Sequence, residues 1–272
     1  MNIGVFDSGF GGLDVLMGIK SHPALIEYDF MYLGDNARVP YGNKSQETIY
    51  RYTQEALTYL FSQNCQIVII ACNTASARAL RRIQQEWLPK HYPERRVLGV
   101  IIPACEEVAA HSFSSVAVLG TESTVDSGSY IEELLKHAPK TRVVQQACPL
   151  FVPLIEHGET DEAVWEKYVE QYLRPVSVPG TEAIILGCTH YGIIESRIRA
   201  FLSKTGKSVE IINQAHVVAD ALATYIQRHP EHREKLTKNG KLSYFVTDDP
   251  TRFNNLAQKY FQIQINAIRV SL

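Results

Sequence analysis

"IVIIACNTASA", Ile67 to Ala77, decides how this chain folds. Four branched apolar residues stand in a row, and Ala71 then leads into Cys72, Asn73 and Thr74. A run that is apolar at every position suits a strand covered on both faces, as in a parallel sheet between helices. The cysteine falls where the strand gives way to polar residues. "AIILGCTH", Ala183 to His190, repeats the plan: apolar run, small residue, Cys188, then Thr189 and His190.

Working outward, strand-length apolar runs recur at Ile3–Phe6, Tyr28–Leu33, Ile67–Ala71, Val97–Ile102, Val116–Leu119, Arg142–Gln146, Ala183–Leu186, Val209–Ile212 and Leu242–Val246. Helical patterns lie between or after them at Ser45–Ser62, Ala75–Leu88, Asp126–Lys136, Glu162–Leu173, Ile194–Leu202 and Val217–Arg228. Strands alternating with helices predict an α/β fold with mainly parallel sheets. The plan is also duplicated. "IGVFDSG" from Ile3 and "VAVLGTEST" from Val116 both end in glycine with hydroxyl or acidic residues. Each is followed roughly 65 to 70 residues later by a strand ending in cysteine. The expectation is two similar halves. The first ends near Pro93–Val97, the second covers about 98–209, and a tail from about 210 packs on either one.

Bulk properties narrow the function. The chain has 272 residues, enough for one large or two small domains with a substantial core. A net charge of −2, with no basic block, argues against nucleic acid as a main partner. "RALRR", Arg78 to Arg82, is the densest basic cluster and reads as a solvated helix face. The N-terminus shows no charged leader ahead of a long apolar segment, and no run reaches the roughly 18 apolar residues of a membrane span. A cytoplasmic protein is expected. Its five cysteines form no CxxC pair and should be free thiols. His157 and His190 lack metal-ligand spacing, so no metal is expected.

Ligands of open parallel sheets collect at the carboxyl ends of strands. Asp7-Ser8, Cys72-Asn73-Thr74, Gly120-Thr121 and Cys188-Thr189-His190 all fall there. "DSGFGG", Asp7 to Gly12, is either a plain strand-to-helix turn or a carboxylate site; it matches neither GxGxxG nor a P-loop. Cys65 and Cys148 read as buried structural thiols, and Cys105 lacks the polar neighbours of the other pair. Cys72 and Cys188, with matching flanks, point to catalysis. One thiolate can remove a proton from one face of a carbon while a thiol opposite returns a proton to the other face, which inverts a stereocentre. If a Cα–H is less acidic than a thiol by roughly ten pK units, the site must supply about 14 kcal/mol. Donors aimed at the developing charge supply part of it, and Ser8, Asn73, Thr74 and Thr189 are of the right kind.

"IGVFDSGFGGLDVL", "YLGDNARVPYGNKS", "ACNTASA", "VLGTESTVDSGSY", "CPLFVPLIEHG" and "LGCTHYG" together resemble the glutamate racemase family, in its order and spacing, across Ile3 to Gly192 or about 70% of the chain. The resemblance implies interconversion of L- and D-glutamate without a cofactor, in bacteria that use the D-isomer for peptidoglycan and so for cell shape. It implies two pseudo-symmetric α/β domains, 1–97 with 210–272 and 98–209, around an active-site cleft, and a homodimer. It implies catalytic Cys72 and Cys188, with Asp7 assisting the first and His190 and Glu156 the second. Cys72 would act on the D-isomer and Cys188 on the L-isomer. The substrate positions implied are Asp7, Ser8, Tyr41, Gly42, Asn73, Thr74, Thr189 and His190, with Thr121 and Thr124 as a further pair. Many members carry Val-Ile-Glu-Pro-Gly after the first half, whereas "GVIIPAC" here has Ile102 for the acid and Ala104 for the glycine. The chain also lacks the N-terminal extension of members activated by a cell-wall precursor, so no such activation is expected. Three other readings stay open: an aspartate racemase, a cysteine hydrolase with Cys188 as nucleophile and His190 as base, and a non-catalytic amino-acid-binding protein.

Overall fold

The computed structural model describes residues 1–204, 206 and 208–272. Its strands are β1 (Asn2–Asp7), β2 (Phe30–Gly34), β3 (Cys65–Ile70), β4 (Arg96–Gly99), β5 (Ser115–Gly120), β6 (Arg142–Ala147), β7 (Ala183–Gly187), β8 (Glu210–Ile212), β9 (Leu242–Val246) and β10 (Ile268–Arg269). They form two wholly parallel sheets, ordered β10-β9-β2-β1-β3-β4 and β6-β5-β7-β8. The second order reproduces β2-β1-β3-β4 of the first, so the duplication read from the strand ends is a duplication of topology. β9 and β10 extend the first sheet beyond β2. Among the described residues no helix is long and apolar enough to cross a membrane.

Side-chain parity explains why the decisive run is apolar throughout. Successive strand residues face opposite sides. Ile67, Ile69 and Ala71 enter one buried cluster, while Val68, Ile70 and Cys72 enter another. In β7, Ile184 and Leu186 share a cluster with Cys188, and Ala183 and Ile185 face the other way. Both faces of both central strands are covered, so a polar residue at any of these positions would lose its water without gaining a partner.

Four sequence expectations need correction. The strand expected at Val97–Ile102 ends at Gly99, and a helix runs over Ile101–Ala110. Pro103 sits in its first turn, where no backbone N–H is needed. The helix expected at Asp126–Lys136 is two helices, Glu122–Asp126 and Ser129–His137, divided at Gly128 with φ +69°. A glycine there takes up the left-handed backbone without a Cβ penalty. The helix expected at Ala75–Leu88 is longer, 73–91, and widens into π turns at Ser76–Leu80 and Ile83–Trp87. The tail carries a further helix, Pro250–Phe261, that the periodicity had not marked. Conversely, Ser45 caps the helix Gln46–Ser62 by accepting from the Thr48 amide at 3.3 Å, and Glu162–Leu173 is helical over the span expected.

Candidate active site

The central strands deliver the site in adjacent pairs. Phe6 of β1 pairs with Ile70 of β3, so Ser8 and Cys72, two residues further along, emerge side by side with Asp7 just before them. Gly120 of β5 pairs with Gly187 of β7, so Thr121 and Cys188 do the same. The two pairs meet at one small cavity, walled by Cys72, Asn73, Thr74, Ser8, Tyr41 and Gly42 on one side and by Thr121, Cys188, Thr189 and His190 on the other. It leaves about 20 Å³ for the centres of water-sized molecules. That is room for about one water.

Three expected residues stand just behind this wall. Asp7 is fully buried, and its carboxylate accepts from the Thr189 hydroxyl at 3.1 Å and from the Gly9 amide at 3.0 Å. The glycine turn therefore aims an N–H at Asp7 itself. Glu156 holds His190 Nε2 at 2.8 Å, and His190 Nδ1 lies 4.0 Å from Cys188 Sγ. Thr124 completes a triangle of hydroxyls with Thr74 and Thr121, with separations of 2.9, 3.0 and 3.3 Å. Close approach explains the glycines of the turn. A Cβ on Gly11 would lie 2.6 Å from His190 Nδ1, and one on Gly12 would lie 2.5 Å from Asp7 Cβ.

The two thiols sit in unlike surroundings. Cys72 contacts Ser8 Oγ at 3.5 Å and accepts from the Ala75 amide at 3.4 Å. Burial and the nearby Asp7 charge outweigh both contacts and push its pKa up to about 12. Cys72 therefore rests as a protonated thiol. Burial likewise raises Asp7 above the usual carboxylate range, against the pull of His190, the Gly9 and Gly12 amides and Thr189. Burial alone would lower His190, but its hydrogen bonds to Cys188 and Glu156 win and hold it well above the ordinary histidine value. A cationic imidazole thus stands beside Cys188.

Cys105 is buried in a separate cluster with Val108 and Leu134, away from this cavity. Cys65 opens β3 and belongs to the core, and Cys148 packs in the core near Tyr191. Two buried polar residues were not singled out from the sequence: Tyr130, at the end of "VLGTESTVDSGSY", and Gln214, which lies in no motif. Tyr130 and Gln214 bond the Asn73 side chain from elsewhere in the chain. Pro40 and Val152 complete the cavity wall.

The arrangement resembles known proteins over nearly its whole length. A family model described as Asp/Glu/Hydantoin racemase matches residues 23–222. The chain is 37% identical to a glutamate racemase of Roseobacter denitrificans across 97% of its own length and 98% of that protein. Its fold matches the crystal structure of glutamate racemase isoform RacE1 from Bacillus anthracis with a TM-score of 0.88 and 31% identity, covering 100% of this chain and 97% of that one. It also matches a glutamate racemase from Francisella tularensis, solved in complex with D-glutamate, with a TM-score of 0.85 and 31% identity over 99% and 97% of the two chains.

Proposed function

The chain belongs to the Asp/Glu/hydantoin racemase family and is an isomerase, and we propose that it interconverts L- and D-glutamate by moving a proton at Cα between two opposed thiols. One observation carries this reading: Cys72 and Cys188, from the ends of equivalent strands in two sheets of the same topology, wall one cavity. A hydrolase would use Cys188 and His190 and would leave Cys72 idle. A binding protein would need neither thiol.

In the L-to-D direction, Cys188 as thiolate takes the Cα proton. The electron pair left on carbon spreads into the substrate carboxylate. The Cys72 thiol then gives its proton to the opposite face, and the two cysteines have exchanged protonation states. His190 Nδ1 stands 4.0 Å from Cys188 Sγ, in place to exchange hydrogen bonds with it, and Asp7 beside Cys72 favours the starting thiol. Glu156 keeps His190 charged. Ser8, Asn73, Thr74, Thr121 and Thr189 offer donors to the substrate and to the charge that develops on it, with Tyr41 and Gly42 closing the wall and Thr124 holding the threonine pair. The route draws only on protein groups. Its product would serve peptidoglycan synthesis, and the division 1–97 with 210–272 against 98–209 would let two domains close around the substrate.

The test is racemisation in heavy water. L-glutamate alone should yield D-glutamate with deuterium at Cα. Cys72→Ala and Cys188→Ala should each lose racemisation by about a thousandfold or more, since each removes one of the two proton-transfer groups. A single-cysteine variant that racemises at the full rate would refute the two-thiol route. A preference for aspartate in a competition assay would refute the choice of substrate.

A further inference from the structure

Asn73 follows Cys72 directly and lines the cavity, yet most of its hydrogen-bonding capacity is turned inward. Its Nδ2 donates to Gln214 Oε1 at 2.6 Å, and its Oδ1 accepts from Gln214 Nε2 at 2.9 Å and from the Tyr130 hydroxyl at 2.7 Å. Gln214 Nε2 also donates to the Tyr130 oxygen at 2.6 Å. A hydroxyl has one proton to give, and Tyr130 gives it to Asn73, so Gln214 must be the donor between those two. The Val100 carbonyl, 3.4 Å from Gln214 Nε2, can only accept, which fixes the same orientation of the glutamine amide. Both lone pairs of Asn73 Oδ1 are thus occupied, and one of its two N–H bonds is used. A single N–H remains.

From this closed ring we propose that Gln214 and Tyr130 are positioning residues that lock the Asn73 amide so that it meets the substrate only as a hydrogen-bond donor, suited to a carboxylate oxygen. The inference rests on the glutamate reading above. The three residues come from three places: the start of the helix 73–91, the helix Ser129–His137, and the first residue of the helix Gln214–Arg228. All three side chains are buried, at 2%, 0% and 3% exposure. Apolar residues would fill such a site without the desolvation that three polar side chains incur. A fully satisfied network instead holds one orientation against the alternatives. Without it the amide could turn and present its oxygen, which would repel a carboxylate, next to the residue that must donate a proton.

A double-mutant cycle tests this, on Gln214→Leu, Tyr130→Phe, Asn73→Ala and the paired variants. Racemisation in both directions gives kcat/KM, and calorimetry gives the dissociation constant of glutamate, which stays measurable if Asn73→Ala is inactive. Gln214→Leu and Tyr130→Phe should each lower kcat/KM about tenfold or more, the penalty of a misplaced contact. In the Asn73→Ala background each should change kcat/KM or binding by less than about twofold, because the effect passes through Asn73. Losses that multiply in that background would overturn the proposal, as would wild-type kcat/KM in Gln214→Leu. Tyr130→Phe removes one oxygen and serves if Gln214→Leu does not fold. Cys72→Ala measured alongside separates the two readings: full racemisation there refutes the two-thiol route, while the cycle still reports whether Gln214 acts through Asn73.

Discussion

Burial, more than any neighbour, sets the state of Cys72, and charge sets that of His190. The imidazole is fully enclosed yet held protonated by Glu156 at 2.8 Å and by Cys188. His190 therefore contributes stability that is present below the ordinary histidine value of 6.5 and lost as pH rises through its raised value. Activity should share that alkaline limb. Glu156→Gln keeps the shape and a hydrogen-bonding group but removes the charge, so the alkaline limb of the kcat/KM profile should move to lower pH by about one unit, the shift expected of one nearby charge. A profile that does not move would place the limb on another group. At this scale the sequence was informative where a side chain follows directly from a strand end, as Cys72, Cys188, Asp7 and Thr121 do. The roles of Tyr130 and Gln214 were not legible, because they reach Asn73 from 57 and 141 residues away and no local pattern records that contact.

Strand parity is what holds the thiols in place. Ile69 is almost fully buried in β3, two positions before Ala71 on the same face. Ile69→Ala should destabilise the protein by about 2–5 kcal/mol through lost burial and the cavity left behind. Urea unfolding reads this as a lower midpoint with an unchanged slope, and a loss below about 1 kcal/mol would mean that the sheet relaxes around the gap. The strands were the most legible elements, since a run apolar on both faces has few other fates at that length. Helix boundaries were less so. Apolar "GVIIPAC" reads as strand or helix by composition, and the short turn after β4 decides for a helix at Ile101. The π turns after Cys72 carry no sequence signature at all. They accompany a helix that bonds outward: Arg78 Nε donates to Ser123 O and Oγ, and the Ala77 carbonyl accepts from Ser129 Oγ at 3.1 Å.

The same contacts matter at the scale of the whole molecule, because the cavity between the sheets is too small for an amino acid and must widen to admit one. Helix 73–91 grips the helices at 122–137 through Arg78 and through Arg81, whose guanidinium meets Glu133 at 2.6 Å. Loosening that grip should populate the widened form that admits substrate and so strengthen apparent substrate affinity. Arg78→Ala, which removes a charged donor at 2.9 Å and 3.0 Å from Ser123, should lower KM by up to about tenfold with a smaller effect on kcat. An unchanged KM would show that Arg78 has no part in closure. The α/β class, the doubled plan and the two strand-end cysteines can be read along the chain, because burial on both faces and parallel pairing impose local patterns that a single chain must display. That the two strand ends share one cavity, that Thr189 reaches across to Asp7, and that Tyr130 and Gln214 bond Asn73 emerges with the packing of the folded chain. These are contacts between residues far apart in the chain, and their geometry is set by how two sheets pack, which no local pattern records.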